Sequence, residues 1–338
     1  MRLASLLILL LPVLAAGDER AELAYRRSIQ RRFPVNIVTV TVQRDPKNER
    51  TMQSIRMERD KDGRTHHTVL QPLRLVGLET SDDGEYKRVY LPDQNLLIEE
   101  ISALKGPDDA MRKMEVAKKN YAFKIKGKEK IAGREAIEIF AQAKHGGMGS
   151  RRFFLDSKYY YPLRVISVAS SGQETLQLDT LDILFPPTIA LYRFDVKPTG
   201  TPKVMKYEPP ERMDKDQVEE RLGFEPILPT QMPLGFRRIS DMQLTTNDSW
   251  KALSIRITDG IARATIYQWR AGGKDKRKVN SIENSSFIEH DGVCMMLVSD
   301  IAPELRERLL RGFVESAETE SLFGQLDPFR NAFDSFQR

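Results

Sequence analysis

The chain has 338 residues, 40% of them apolar and 30% charged, with a formal net charge of +5. That length suits about two domains with buried cores, and the composition excludes a disordered polymer. The charge is too mild for a nucleic-acid reader, which needs a strong basic face or an aromatic platform, and the single cysteine, Cys294, excludes an internal disulfide.

Residues 1–17 open with Arg2, run through the apolar Leu3–Leu14 and end on Ala15-Ala16-Gly17 before the charged Asp18-Glu19-Arg20. A basic start, a short apolar core and small residues ahead of a charge describe a secretory signal peptide, too short to span a bilayer comfortably. The sequence therefore predicts an exported protein, soluble once the segment is removed. It leaves open whether the segment is cleaved or kept as an anchor.

Asp18–Phe33 has Tyr25, Ile29 and Phe33 at helical spacing amid arginines, which predicts a helix covering a sheet. Val38, Val40 and Val42 then alternate with Thr39, Thr41 and Gln43, a half-buried strand. Further strand-like runs follow to Ile101, with Asp60-Lys61-Asp62-Gly63 as a hairpin turn. Asp108–Lys119 reads as a short inserted helix. Tyr121, Phe123 and Ile125 alternate with lysines, and Ile137 and Ile139 share one face of the next run. The stretch 150–187 holds three strands joined by short turns, an antiparallel meander. In its last run Leu176 and Leu178 differ in parity from Leu181, Ile183 and Phe185, which predicts a β-bulge near Asp179-Thr180 and a bent sheet. Residues 18–196 thus predict a curved antiparallel sheet of roughly nine to eleven strands.

Proline-rich, charge-alternating residues within 197–216 read as a linker. Residues 217–314 predict a smaller α+β domain. Asp216 is placed as the cap of a helix ended by Gly223, Asp259-Gly260 as a hairpin turn, Cys294 in a buried strand, and Leu305, Leu309 and Phe313 as the stripe of a last helix. Residues 315–338 read as a disordered or docking tail.

No catalytic constellation emerges. His66, His67, His145 and His290 have no metal-ligand spacing, and the adjacent pair reads as surface. There is no nucleophile elbow, no dinucleotide fingerprint and no phosphate cradle in Gly146-Gly147-Met148-Gly149. These absences argue for binding: no enzyme, no cofactor, no metal.

Several strings carry a resemblance. IAGREAIEI, RRFFLDSKYYYPLRVISV and LQLDTLDILFPP resemble segments of the LolA/LolB-like superfamily of periplasmic lipoprotein carriers, and more closely its two-domain relative, the MucB/RseB family of sigma-E regulators. LGFEPILPTQMPLGFRRI and DGVCMMLVSDIAPELRERLLRGFV look like the second domain of that family. The resemblance implies an α+β protein with an N-terminal unclosed antiparallel β-barrel (LolA-like) covered by helices, plus a smaller C-terminal α+β domain. It implies a sensor of lipid or lipoprotein that binds the periplasmic part of a membrane-bound anti-sigma factor in envelope stress signalling. The alternative is a LolA-like lipoprotein carrier.

The predicted ligand-binding lining is Val38, Val40, Val42, Phe123, Ile125, Ile137, Ile139, Leu176 and Leu178, with Arg151 and Arg152 at the mouth. Trp250, Tyr267 and Trp269 are the predicted partner-binding aromatics. Oligomeric state is open, a homo-oligomer included.

Overall fold

The computed structural model describes residues 18–45, 48–207, 210–247, 250–272, 284–299 and 301–325. Residues 1–17, which the sequence reads as a signal peptide, most of the basic loop 272–280 and the end of the tail lie outside that set.

The first sheet is built from β1 (Ile37–Asp45), β2 (Asn48–Arg59), β3 (Thr65–Gln71), β4 (Glu79–Asp82), β5 (Tyr86–Leu91) and β6 (Leu96–Ile101) on one wing. The other wing is β7 (Tyr121–Ile131), β8 (Arg134–Ala143), β9 (Ser150–Asp156), β10 (Pro162–Val168) and β11 (Glu174–Leu184). Each wing is a meander of antiparallel neighbours, and β1 pairs with β11 to join them. The turns follow from their residues: Gly63, at φ +94°, closes the β2–β3 hairpin with its N–H on the Asp60 carbonyl. β12 (Lys203–Lys206), from the segment that reads as a linker, adds in parallel to β6 as a twelfth strand. The two ends of the order, β12 and β7, do not pair, so the sheet stays unclosed.

The bulge falls where the parity switch places it. Thr41 pairs with Thr180 but Val40 pairs with Asp182, leaving Leu181 unpaired with β1. Leu181 is 57% exposed while Ile183 is 6% exposed, so the extra residue turns outward and lets Ile183 return to the inside.

Two helices cover the inner face of the β7–β9 wing. α1 (Glu19–Ser28) is capped by the Asp18 carboxylate, which accepts from the N–H of Arg20 and Ala21. α2 (Ala110–Asn120) packs on α1 and on β7. α1 stops short of Phe33, which instead joins Ile37, Met57, Leu163 and Ile183 in a separate buried cluster.

The second domain holds α3 (Lys215–Leu222), then β15 (Met242–Asn247), β16 (Trp250–Thr258), β17 (Arg263–Arg270), β18 (Ser285–His290), β19 (Val293–Ser299) and α4 (Pro303–Gln325), with the two-residue β13 (Arg212–Met213) and β14 (Arg237–Arg238) at its margins. Its sheet runs β13-β15-β16-β17-β19-β18, antiparallel throughout. Asp214, not Asp216, caps α3: its carboxylate accepts from Gln217 N–H and the Gln217 side chain answers on the Asp214 N–H, a reciprocal capping box. Gly223 ends the helix in the left-handed region. Leu305, Leu309 and Phe313 are buried as one stripe of α4, and that helix continues through Gln325 into the segment that reads as a tail. Cys294 is a buried free thiol in β19. The largest buried cluster runs without a break from Ala21, Tyr25 and Phe123 to Ile255, Ile266, Leu309 and Phe313, so the two domains share a core.

Candidate ligand face and domain junction

Cross-strand partners in an antiparallel sheet project to the same side, so register sorts the predicted lining. Ile125 pairs with Ile139, Ile139 with Phe153, Phe153 with Val165 and Val165 with Leu178. Phe123 and Ile137 belong to the same face by alternation. Five of the nine residues therefore come together on the inner face: Phe123, Ile125, Ile137, Ile139 and Leu178. Ile125 is its least covered member, at 39% exposed.

The three valines do not join them. Val38, Val40 and Val42 pair with Glu58, Arg56 and Ser54 on β2 and with Leu184, Asp182 and Asp179 on β11, which is the charged outer face. Thr39 and Thr41 occupy the inside instead, 1% and 5% exposed, opposite Met57 and Ile55. Threonine is nearly the shape of valine, so hydropathy alone cannot say which alternate set is inside; the register of the neighbours decides it. Leu176 is displaced by a second irregularity in β11 and pairs with Ile166, outside the inner row. Arg152 is also outward and committed, 2.8 Å from Glu138 and 2.9 Å from Glu174.

The inner face on the β7–β9 wing is filled by the chain itself. The Tyr25 ring of α1 stacks on Phe123 with centroids 4.8 Å apart and lies 5.0 Å from Phe153. A cleft of about 530 Å³ opens at the end of this face, between the domains. It is bordered by Arg44, Arg151, Ser167 and Gln177 from the first domain and by Asp259 and the start of α4 from the second. Among the described residues neither Arg44 nor Arg151 has a carboxylate partner, and the Ser167 hydroxyl is buried with no hydrogen-bond partner.

Beside the cleft the domains are joined by buried polar groups. The Tyr121 hydroxyl donates to Asp259 Oδ2 at 2.7 Å, and the Tyr25 hydroxyl donates to the Gly260 carbonyl at 3.1 Å. Burial, then the nearby Asp259, push both phenols above their usual range. Burial also pushes the Asp259 carboxyl up, opposed by the N–H groups of Ile261 and Ala262 and by the Tyr121 hydroxyl. In the sequence, Asp259-Gly260 reads as nothing more than a hairpin turn, and Asn120 and Tyr121 as the end of a helix and the start of a strand; no local pattern announces that they meet.

Of the partner-binding aromatics, Trp269 is 3% exposed and packs against Phe287, with Ala252, Cys294 and Met296 in the same cluster. β17 is a central strand, and Trp269 stands opposite Cys294 in register. Tyr267 is half-buried on the same face, paired with Ser254 and Met296. Trp250 begins β16 opposite Asn247; its side chain lies outside the described set. A separate groove of about 1150 Å³ in this domain runs between Phe224–Leu228, Arg270 and the His290–Val293 turn.

Among the described residues no cluster of His, Cys, Asp or Glu could hold a metal ion, and no helix is long and apolar enough to cross a membrane.

No protein-family model matches the sequence, and no curated protein matches it significantly. Solved structures do match the fold. A chain of the Pseudomonas aeruginosa MucA/MucB complex superposes with a TM-score of 0.57 at 14% identity, covering 86% of this chain and 96% of that one. MucB solved alone gives 0.55 at 14% identity, covering 87% and 97%, and MucB in complex with MucA(peri) gives 0.55 at 11%, covering 86% and 96%. The unclosed sheet under its helices and the smaller α+β domain that follows it together share their fold with MucB over most of both chains.

Proposed function

We propose that this is an exported, non-enzymatic binding protein that regulates a membrane-bound anti-sigma factor, and that an acyl chain of a lipid or lipoprotein enters its first domain by replacing α1. The observation that carries the reading is the extent of the structural likeness. It spans both domains of MucB, a protein solved in complex with MucA. That likeness continues through the second domain, which supports the regulator over a carrier built on the first sheet alone.

The ligand half rests on Tyr25. An inner face already occupied by one aromatic side chain can exchange it for another apolar group. Ten methylenes of an acyl chain contribute roughly 8 kcal/mol on burial. That gain is set against uncovering Ala21, Ala24 and Tyr25 of α1 and against the costs of association. An anionic head would then sit in the cleft against Arg44 and Arg151, which form no ion pair within 4 Å among the described residues, although Asp259 lies close enough to Arg151 to feel its charge. Tyr267 is the aromatic best placed to meet the protein partner.

The test uses the full exported chain. Purified from envelope extracts, it is expected to retain the soluble segment of a single-pass membrane protein encoded beside a sigma factor, and to release it when an acyl lipid is added. Retention of mature lipoproteins in place of such a segment would favour the carrier.

A further inference from the structure

The contact that joins the domains contains the residue that plugs the sheet. α2 ends at Asn120 and β7 begins at Tyr121, so helix and strand deliver two adjacent polar side chains to one point. Asn120 Nδ2 donates to the carbonyls of Gly235 and Asp259, each at 2.9 Å. Tyr121 donates to the Asp259 carboxylate, whose other oxygen accepts from Ile261 and Ala262 N–H at 2.8 and 2.7 Å. Tyr25 closes the group from α1 through the Gly260 carbonyl. Tyr25, Asn120, Tyr121 and Asp259 are all under 5% exposed.

The backbone fit is as tight as the bonding. A Cβ on Gly260, which has φ +97°, would stand 2.2 Å from the Ala117 nitrogen, and one on Gly235 would stand 1.9 Å from Asn120 Oδ1. Only glycine allows the β16–β17 turn to lie against α2 at that distance. The ion pair at the rim, Arg263 with Asp109 at 3.8 Å, is long and partly exposed, so it adds little.

We infer that this contact is a latch that couples the helices over the first sheet to the second domain, so that lifting α1 from the inner face is felt in β16 and β17. Tyr25 cannot leave Phe123 and Phe153 while keeping its bond to Gly260. Its departure also uncovers the Asn120–Tyr121–Asp259 group, which is held in place by the same packing. The inference rests on the proposed function only for what does the lifting; the coupling itself is independent of any ligand.

The experiment exploits the two tryptophans, Trp250 and Trp269, both in the second domain, so that tryptophan fluorescence reports that domain alone. The first domain is weakened at a distance by Leu163→Ala, in the cluster of Ile37 and Met57. In urea the tryptophan midpoint of the full exported chain is expected to fall with that substitution, by about 1 M. In an Asn120→Ala/Tyr121→Phe background it is expected to be indifferent to Leu163→Ala. Tyr25→Phe, which keeps the ring and removes one bond, should give an intermediate shift and covers the case in which the double variant does not fold. A tryptophan transition that ignores Leu163→Ala in the parent chain overturns the latch, as does one that responds equally with and without Asn120 and Tyr121. Neither arm contains lipid, so a failure here is separable from a failure of the ligand reading.

Discussion

The Tyr121 hydroxyl is one oxygen atom, yet it is a buried donor to a carboxylate that has few other partners. Replacing Tyr121 with Phe keeps the ring and leaves Asp259 Oδ2 without its donor while Oδ1 keeps the Ile261 and Ala262 N–H groups, which should cost about 1–3 kcal/mol of stability; chemical denaturation of the two chains measures it. His67 makes a second prediction at this scale. It pairs with Met57 and Thr80 on the inner side of β3, contrary to its reading as a surface residue. Burial, then the Arg59 guanidinium, with His66 and Lys87 beyond it, hold its imidazole down from 6.5 to about 4. The folded state thus binds the proton less readily than the unfolded chain. Its contribution is fully present above pH 6.5 and is lost as pH falls from about 6.5 towards 4, by at most about 3 kcal/mol. His67→Gln should flatten stability against pH in that window relative to the parent. Asp259, whose carboxyl is raised, acts with the opposite sign in both chains and cancels in the comparison. Unfolding midpoints at several pH values would contradict this if the two profiles ran parallel.

At the scale of elements, periodicity in the sequence predicts most of what is seen and fails where two sets of residues look alike. The bulge in β11 is legible because Leu178 and Ile183 cannot share a face without an extra residue; the second irregularity, which turns Leu176 away from Leu178, leaves no such mark. The inside of β1 is not, because Val38 and Thr39 differ by little more than a hydroxyl, and only the pairing with Met57 and Ile183 picks the threonine row. The Asp18–Phe33 stripe correctly puts Tyr25 inward. It overruns the helix end because Phe33 is apolar for a different reason, the cluster around Leu163. These assignments make a contrast to test: Leu181→Asp should change stability by no more than about 0.5 kcal/mol, whereas Ile183→Ala, two residues on, should cost about 2–5 kcal/mol. Thermal or chemical unfolding of the two variants decides it, and equal costs would mean that the bulge is misplaced.

For the whole molecule, the order of the elements was readable and the meeting of the two domains was not. Each strand and helix leaves a local pattern, but the junction is made by single residues more than a hundred positions apart, such as Tyr121 and Asp259. Gly146–Gly149 shows the same limit. The sequence says of it only that it is no phosphate cradle, yet Met148 is buried in the shared core and the Gly146 carbonyl accepts from Arg308 of α4. Trp269, offered by the sequence as an interface anchor, is buried on the second sheet with Ala252, Cys294, Met296 and Phe287, the cysteine opposite it in register lying 25 positions along the chain. What unites these features is that the first sheet holds α1 on the face proposed to take an acyl chain, and that α1 is tied to the second domain.

That exchange is measured most directly by titrating the delipidated full exported chain with dansylated palmitate, beside the same chain carrying Tyr25→Ala. Saturable binding by the parent, tighter in the variant because the space over Phe123 and Phe153 is already vacated, is the predicted result. No saturable binding by either chain would contradict the account.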